Sequence, residues 1–248
     1  MQLEINKIFK SLEIKPESTV VIHGDAIIAA QYPQKKSQKI DYLVENIINF
    51  FDDRGTLIVP TFNQSNFIEK KIFDVAKTPS KIGFFYEKFR VHKLANRTSH
   101  PFFSFVIFGK DKKKYLNTQI KDCFGKRTIF ELLYKKNAKI VNLGCRWQCS
   151  FIHFVEQKIK VDYRYFKKFI GIIKDKNGYK KIKVNYFVRD LRKNLTYNLD
   201  KLEQKLKEKN KINYASFGRF QVSSVNAKDV YKFTLQNIKI NKKFLLDD

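Results

Sequence analysis

The sequence predicts a layered α/β fold around a buried, at least partly parallel sheet, and three observations predict it. Short apolar, strand-like runs alternate with helix-spaced segments along the first 160 residues. Helix-type spacing is explicit in "QKIDYLVENIINFFDDRG" (38–55), where Ile40, Leu43, Val44, Ile47, Ile48 and Phe51 recur at turn intervals. At 248 residues and 43% hydrophobic, the chain carries enough apolar surface for a sizeable core.

The elements follow in order. "LEINKIFKSLEI" (3–14) has helical spacing, and "PESTVVIHGDA" (16–26) is a β-branched strand ending in His23-Gly24-Asp25. The helix in 38–55 stops at Gly55, and "TLIVPTF" (56–62) is the next strand. "TPSKIGFFYEKFRVH" (78–92) reads as a helix with Thr78 at its N-cap and Pro79 at its first position. "FFSFVIFG" (102–109) is strand, "RTIFELLYKKN" (127–137) helix, "AKIVNLG" (138–144) strand, and "CSFIHFVEQ" (149–157) opens another helix. Thereafter the pattern changes. "FIGIIKDKNGYKKIKVNYFVR" (169–189) is a hairpin turned at Lys176-Asn177-Gly178. "NLDKLEQKLKEKN" (198–210) is a charged amphipathic helix, and 219–238 supply a last strand and helix. With no repeat or linker, the expected organisation is one domain, 1–248. Its core layers span 1–160, and a hairpin-and-helix extension, 161–248, completes it.

Composition limits the function classes. No run of 18 apolar residues exists, so no membrane span is expected, and the charged N-terminus is no signal peptide. Three cysteines suit reduced thiols and a cytoplasmic setting. Lysine and arginine number 50 against 24 acids, a formal charge of +26. The basic residues are spread along the chain rather than gathered on one face, which disfavours nucleic acid as the partner but leaves anionic small ligands welcome.

Ligands of α/β sheets collect at strand carboxyl ends. Four polar loops lie at such ends: His23-Gly24-Asp25, Pro60 to Asn63, "RTSHPFFS" (97–104), and Gly144 to Ser150. His153 and Glu156 stand three apart, so on a helix they share a face and the carboxylate can fix the imidazole tautomer. That pair is the candidate general base; a solvated i,i+3 pair is the plain alternative. Cys145, Cys149 and His153 step by four, yet a tetrahedral metal site wants a fourth ligand and closer cysteine spacing, so no metal is expected. Cys149 activated by His153 remains an alternative nucleophile.

In succession, TPS-x-x-G (78–83), R-x-S-H-P (97–101), FG-x-x-T (124–128) and H-x-x-E (153–156) resemble the aminoglycoside 3-N-acetyltransferase family, and the likeness runs through nearly the whole chain. The resemblance implies a three-layer α/β/α fold with a mixed sheet and acetyl-CoA as cosubstrate. It implies His153 as base with Glu156 orienting it, and His100 and Ser104 near the same pocket. It also implies a cofactor region at His23, Gly24, Asp25, Thr78 and Ser80. Three departures stand out. A serine-rich first loop is replaced by His23-Gly24-Asp25, leaving backbone amides to hold the cofactor. A second histidine is replaced at Phe102-Phe103, and Asn-Thr before the helix becomes Cys149-Ser150.

The expected reaction is direct acetyl transfer to an amine. Thr78 and Ser80 at a helix N-terminus, with His100 or Ser104, would donate to the oxyanion. The basic balance and the shortage of acids near the loops point to a nucleotide-linked amino sugar of surface-glycan synthesis, with Asn63, Tyr163 and Arg164 as acceptor-binding residues. The alternative acceptor is an aminoglycoside, as in antibiotic resistance. Two other classes stay open: a non-catalytic basic module binding nucleic acid or glycan, and a Cys149-dependent thioester hydrolase. A homodimer is compatible with all of them.

Overall fold

The four apolar runs of the first 145 residues become four neighbouring strands of one sheet. The computed structural model describes residues 5–247. It begins with α1 (Ile5–Ser11), β1 (Thr19–Gly24), a 3-10 turn at Ala26–Gln31, α2 (Lys39–Phe51), β2 (Thr56–Pro60), α3 (Gln64–Glu69) and β3 (Ile72–Asp74). There follow α4 (Phe84–Arg90), β4 (Asn96–Arg97), β5 (Phe105–Gly109), α5 (Lys112–Leu116), α6 (Ile129–Lys136), β6 (Lys139–Leu143) and α7 (Ile152–Ile159). The chain closes with β7 (Arg164–Asp175), β8 (Gly178–Arg189), α8 (Asp200–Glu208), β9 (Ile212–Phe217), β10 (Phe220–Asn226) and α9 (Ala227–Ile240).

The main sheet runs β4-β5-β2-β1-β6-β10-β9. β1 is parallel to both β2 and β6, whereas β5, β10 and β9 join antiparallel, so the sheet is mixed as expected. Alternate residues feed two cores. Val21, Ile58, Ile107, Ile140 and Val225 face α6, α7, α8 and α9. Val20, Ile22, Leu57, Val59, Val141 and Leu143 face α1, α2 and α4. The result is three layers, helices on both faces of the sheet. One of these cores crosses residue 160 without a break, from Phe73 and Phe103 to Val184, Leu202 and Ile238. None of the described helices is long and apolar enough to cross a membrane.

Local chemistry sets the ends of the elements. Thr128 Oγ1 accepts from Glu131 N at 3.4 Å while Glu131 Oε2 accepts from Arg127 N at 2.7 Å, which fixes the start of α6. Asn137, in the left-handed region at φ 49°, ends it. The segment 78–92 departs from expectation. Its helix is only Phe84–Arg90 with Gly83 at the N-cap, and Thr78 instead closes a turn, its Oγ1 accepting from Asp74 N at 2.9 Å. The reason is local competition: Asp74 and Thr78 satisfy one another's backbone before a helix can start.

The hairpin is longer than its sequence signal, because β7 begins at Arg164 and pairs residue by residue with β8 to Arg164↔Arg189. β3 adds in parallel on its other edge, making a second, three-stranded sheet. The open end of this hairpin, opposite the Lys176-Asn177 turn, brings Arg164 and Arg189 beside α7. An aromatic cluster welds the two sheets: Phe103, Phe124 and Phe130 meet with ring centroids 4.7–6.0 Å apart, and Tyr186 of β8 packs on Phe103 at 5.3 Å. Phe130 is fully buried among them. Phe130→Ala is therefore expected to lower unfolding free energy by about 3–5 kcal/mol, measured by urea denaturation.

Candidate active site

Glu156 lies on α7 with no exposed surface, and four donors converge on its carboxylate. Oε1 accepts from the Tyr163 hydroxyl at 2.8 Å and the Tyr197 hydroxyl at 2.6 Å. Oε2 lies 2.6 Å from His153 Nδ1 and 3.0 Å from Arg164 Nε. The helix supplies the first part of this arrangement, since His153 and Glu156 stack one turn apart on one face. Tyr163 and Arg164 follow where the chain leaves α7, which ends at Lys160 in the left-handed region. Tyr197 arrives from the segment between β8 and α8.

Charge and burial fix the protonation states. Burial alone would raise the Glu156 pKa, but His153 and Arg164 outweigh it and hold the carboxyl below its usual range. Burial, then the Arg164 charge, lowers the His153 pKa against the attraction of Glu156. The imidazole is thus neutral near pH 7. Arg164 Nη2 also approaches His153 Nδ1, at 2.9 Å. One nitrogen cannot donate to Glu156 and accept from Arg164 together. With Glu156 ionised, the consistent tautomer places the proton on Nδ1, donating to Oε2, and leaves Nε2 as the acceptor.

His153 keeps 21% of its side-chain surface and lines a cavity of about 690 Å³. Gln148, Cys149 and Ser150 line it beside the ring, Gln64 and Ile68 of α3 form one wall, and Tyr186 and Tyr197 another. Its charged residues are Arg164, Lys167, Arg189 and Arg192 against the single acid Asp190. Arg192 grips that acid through Nε and Nη2, both at 2.9 Å, and these bonds pull its pKa down to about 2. Cys149 also lines the cavity but is 2% exposed, and burial pushes its thiol up to about 12, so it is no thiolate nucleophile.

The structure brings together His153, Glu156, Tyr163 and Arg164 and sets the other candidate residues elsewhere. Tyr163 and Arg164, expected at the acceptor, spend their polar atoms on the pair. Tyr163 is 3% exposed, and Arg164 donates to Tyr197, Phe187 O and the Glu156 carboxylate. His100 is buried, accepts at Nδ1 from Phe102 N and Phe103 N, and does not line the cavity. Ser104 donates to Thr61 O at 2.8 Å and accepts from Arg97 Nε at 3.1 Å, again away from the cavity. Asn63 caps α3 and donates from Nδ2 to Pro79 O.

The cofactor candidates are similarly engaged. The Gly24 amide donates to Tyr86 Oη, the Asp25 amide to Leu143 O and the Ile27 amide to Asp25 Oδ1. The free amides expected of that loop are therefore taken. The Ser80 amide donates to Glu87, and Thr78 sits in its turn rather than at a helix start. His23 is 5% exposed at the end of β1. Tyr197, Arg189, Lys167 and Gln64 escaped sequence reasoning. None lies in a motif, and only the closure of the hairpin over α7 brings them in.

Comparison with known proteins follows from this geometry. A family model described as aminoglycoside 3-N-acetyltransferase matches residues 34–239. A search among curated proteins found no sequence match. Among solved structures, aminoglycoside acetyltransferase AAC(3)-Xa is similar at TM-score 0.79 and 14% identity, covering 98% of this chain and 93% of its own. YokD from Bacillus subtilis is similar at 0.76 and 17% identity, covering 96% and 98%. The binary complex of AAC-IIIb with CoASH is similar at 0.76 and 13% identity, covering 94% and 93%. At these identities the likeness shows the fold.

Two outcomes are expected of the buried ionisable groups. Burial pushes His23 and His100 down to about 4 from 6.5. A depressed histidine contributes stability that is present above the unfolded value and lost as pH falls through the folded one. Each shift corresponds to roughly 3 kcal/mol. Tm should therefore hold above pH 6.5 and fall steeply between pH 6.5 and 4. In the pH profile of turnover, the acid limb should lie below 6.5, because burial and Arg164 oppose the imidazolium. Glu156→Gln removes the attraction that partly offsets them, so the limb should move further to acid while the plateau drops about 10²-fold or more.

Proposed function

The chain belongs to the aminoglycoside 3-N-acetyltransferase family, and from that premise we propose that it acetylates an amino-sugar amine by direct transfer from acetyl-CoA, with His153 as general base. It is an N-acetyltransferase whose cosubstrate is acetyl-CoA. The observation that carries the proposed mechanism is the 2.6 Å contact of His153 Nδ1 with the buried Glu156, on a ring that lines a cavity of about 690 Å³.

The acceptor ammonium first gives one proton to water, and His153 Nε2 takes a second from the amine as its nitrogen attacks the thioester carbonyl. The C–N bond forms and negative charge gathers on the carbonyl oxygen. Collapse of that oxyanion breaks the C–S bond, and the imidazolium gives its proton to the leaving CoA thiolate. Glu156 stabilises the imidazolium while it lasts and holds the tautomer. A positioned imidazole supplies about 10²–10⁴-fold in rate. Ser150 and Gln148 are the neutral hydrogen-bonding groups that line the cavity beside the ring.

Two acceptors have support. The family description and the name of AAC(3)-Xa support an aminoglycoside. The cavity lining supports the second, an amino sugar that also carries an anion, such as a nucleotide-linked sugar used in surface-glycan synthesis. With Arg192 paired to Asp190 and Arg164 to Glu156, Lys167 and Arg189 leave the lining positive, which repels a polycation and attracts a diphosphate. A thiol-release assay with acetyl-CoA against both acceptor types tests the readings. Fast turnover of gentamicin-like drugs without turnover of nucleotide amino sugars selects the first, and the converse the second. In either case His153→Ala should lose about 10²–10⁴-fold in turnover and keep its affinity for acetyl-CoA.

A further inference from the structure

The three-stranded sheet turns one face to the core and the other to solvent. Along β7 and β8, Phe169, Ile173, Ile182 and Val184 point inward and pack with the core. Alternation puts the residues between them on the outer face. In register these are Lys168 opposite Asn185, Ile170 opposite Lys183 and Ile172 opposite Lys181, with Ile72 of β3 beside Ile172. A sheet face open to water is ordinarily polar. Here Ile170 is 52% and Tyr179 67% exposed, and Ile72 and Phe166 are exposed with them.

Lysine supplies the charge on this face. A recess of about 590 Å³ is lined by Lys121, Lys168, Lys180, Lys181 and Lys183, together with Ile182 and Asn185, and among the described residues by no acid. Asn185 holds Lys121 there, its backbone amide donating to Lys121 O at 2.8 Å. Asp122 turns its carboxylate away, to Phe124 N, Gly125 N and Gln157 Nε2. Asp74 is the one acid that the three strands place on the outer face, and it lies 3.7 Å from Lys174. Like charges gathered around one recess repel, so these lysines call for an anionic partner.

We propose that this face docks on the surface of an anionic lipid bilayer, with headgroup phosphates in the lysine recess and Ile72, Ile170 and Tyr179 at the acyl boundary. Both halves of the face then have a partner. A nucleic-acid strand would satisfy the lysines but leave the isoleucines in water, since they offer no ring for a base to stack on. A second copy of this chain would set lysines against lysines. The contact is peripheral, with headgroup attraction and shallow apolar insertion acting together.

Co-sedimentation of the intact protein with vesicles tests the docking. Vesicles of equal parts phosphatidylcholine and phosphatidylglycerol should bind it, less so at high salt, and vesicles of phosphatidylcholine alone should not. Lys181→Gln combined with Lys183→Gln should weaken that binding about tenfold or more. The same change at the exposed Lys113 and Lys114 of α5 should alter it little. Ile170→Ser combined with Tyr179→Ser should weaken it about fivefold and leave the retention of single-stranded DNA unchanged. These are surface changes, and thermal unfolding confirms that the variants fold. Failure to bind anionic vesicles, or an equal loss from both lysine pairs, overturns the proposal. Unchanged vesicle binding in the Ile170 and Tyr179 variant also overturns it, and tighter retention of DNA than of vesicles would then give the face to nucleic acid.

Discussion

Everything around the His153 cavity depends on a carboxylate being affordable in a place without water. A buried anion costs several kcal/mol unless each lone pair is matched. Glu156 meets that condition with two phenols, one guanidinium and one imidazole, drawn from three parts of the chain. The helix, the first residue of the hairpin and the segment before α8 must all be in place at once. Folding of the last third and assembly of the His153–Glu156 pair are therefore one event. The same arrangement keeps the imidazole neutral: burial disfavours its charge first, and Arg164, already needed by the carboxylate, adds to that against the attraction of Glu156.

A second cation does comparable work away from the His153 cavity. Arg97 donates to Thr61 O, Thr61 Oγ1, Ser104 Oγ, Val75 O and Thr78 O, and its guanidinium lies 4.9 Å over the Phe73 ring. Among the described residues no carboxylate pairs with it, and burial lowers its pKa to about 9. It ties the loops after β2 and β3 to the start of β5. The R-x-S-H-P segment thus acts as a brace: Arg97 and Ser104 join those loops, and His100 caps the turn at Phe102 and Phe103.

The sequence made the layered fold readable because strand and helix differ in period. The runs at 19–24, 56–60, 105–109 and 139–143 appear as strands with only end residues trimmed. Short elements were not readable. β3 has three residues, β4 two, and both exist only through their partners. His153 and Glu156 could be paired because a helix brings i and i+3 together. Tyr197 could not, since 41 residues separate it from Glu156 and no periodicity encodes that contact. Thr78 misled because a residue that caps helices caps turns equally well. The cavity's excess of arginine was visible only as a diffuse net charge until the hairpin concentrated it.

Cys149 sits on the wall of the same cavity as the base. A thiolate there, presented with an activated acyl group, would capture it by transthioesterification and become a self-acylated dead end in competition with the acceptor amine. Its near-complete burial, which keeps the sulfur protonated at any physiological pH, removes that competitor without removing the side chain. On the acetyl-transfer mechanism proposed above, chemoselectivity for nitrogen over sulfur would rest on how deeply this one small residue is seated.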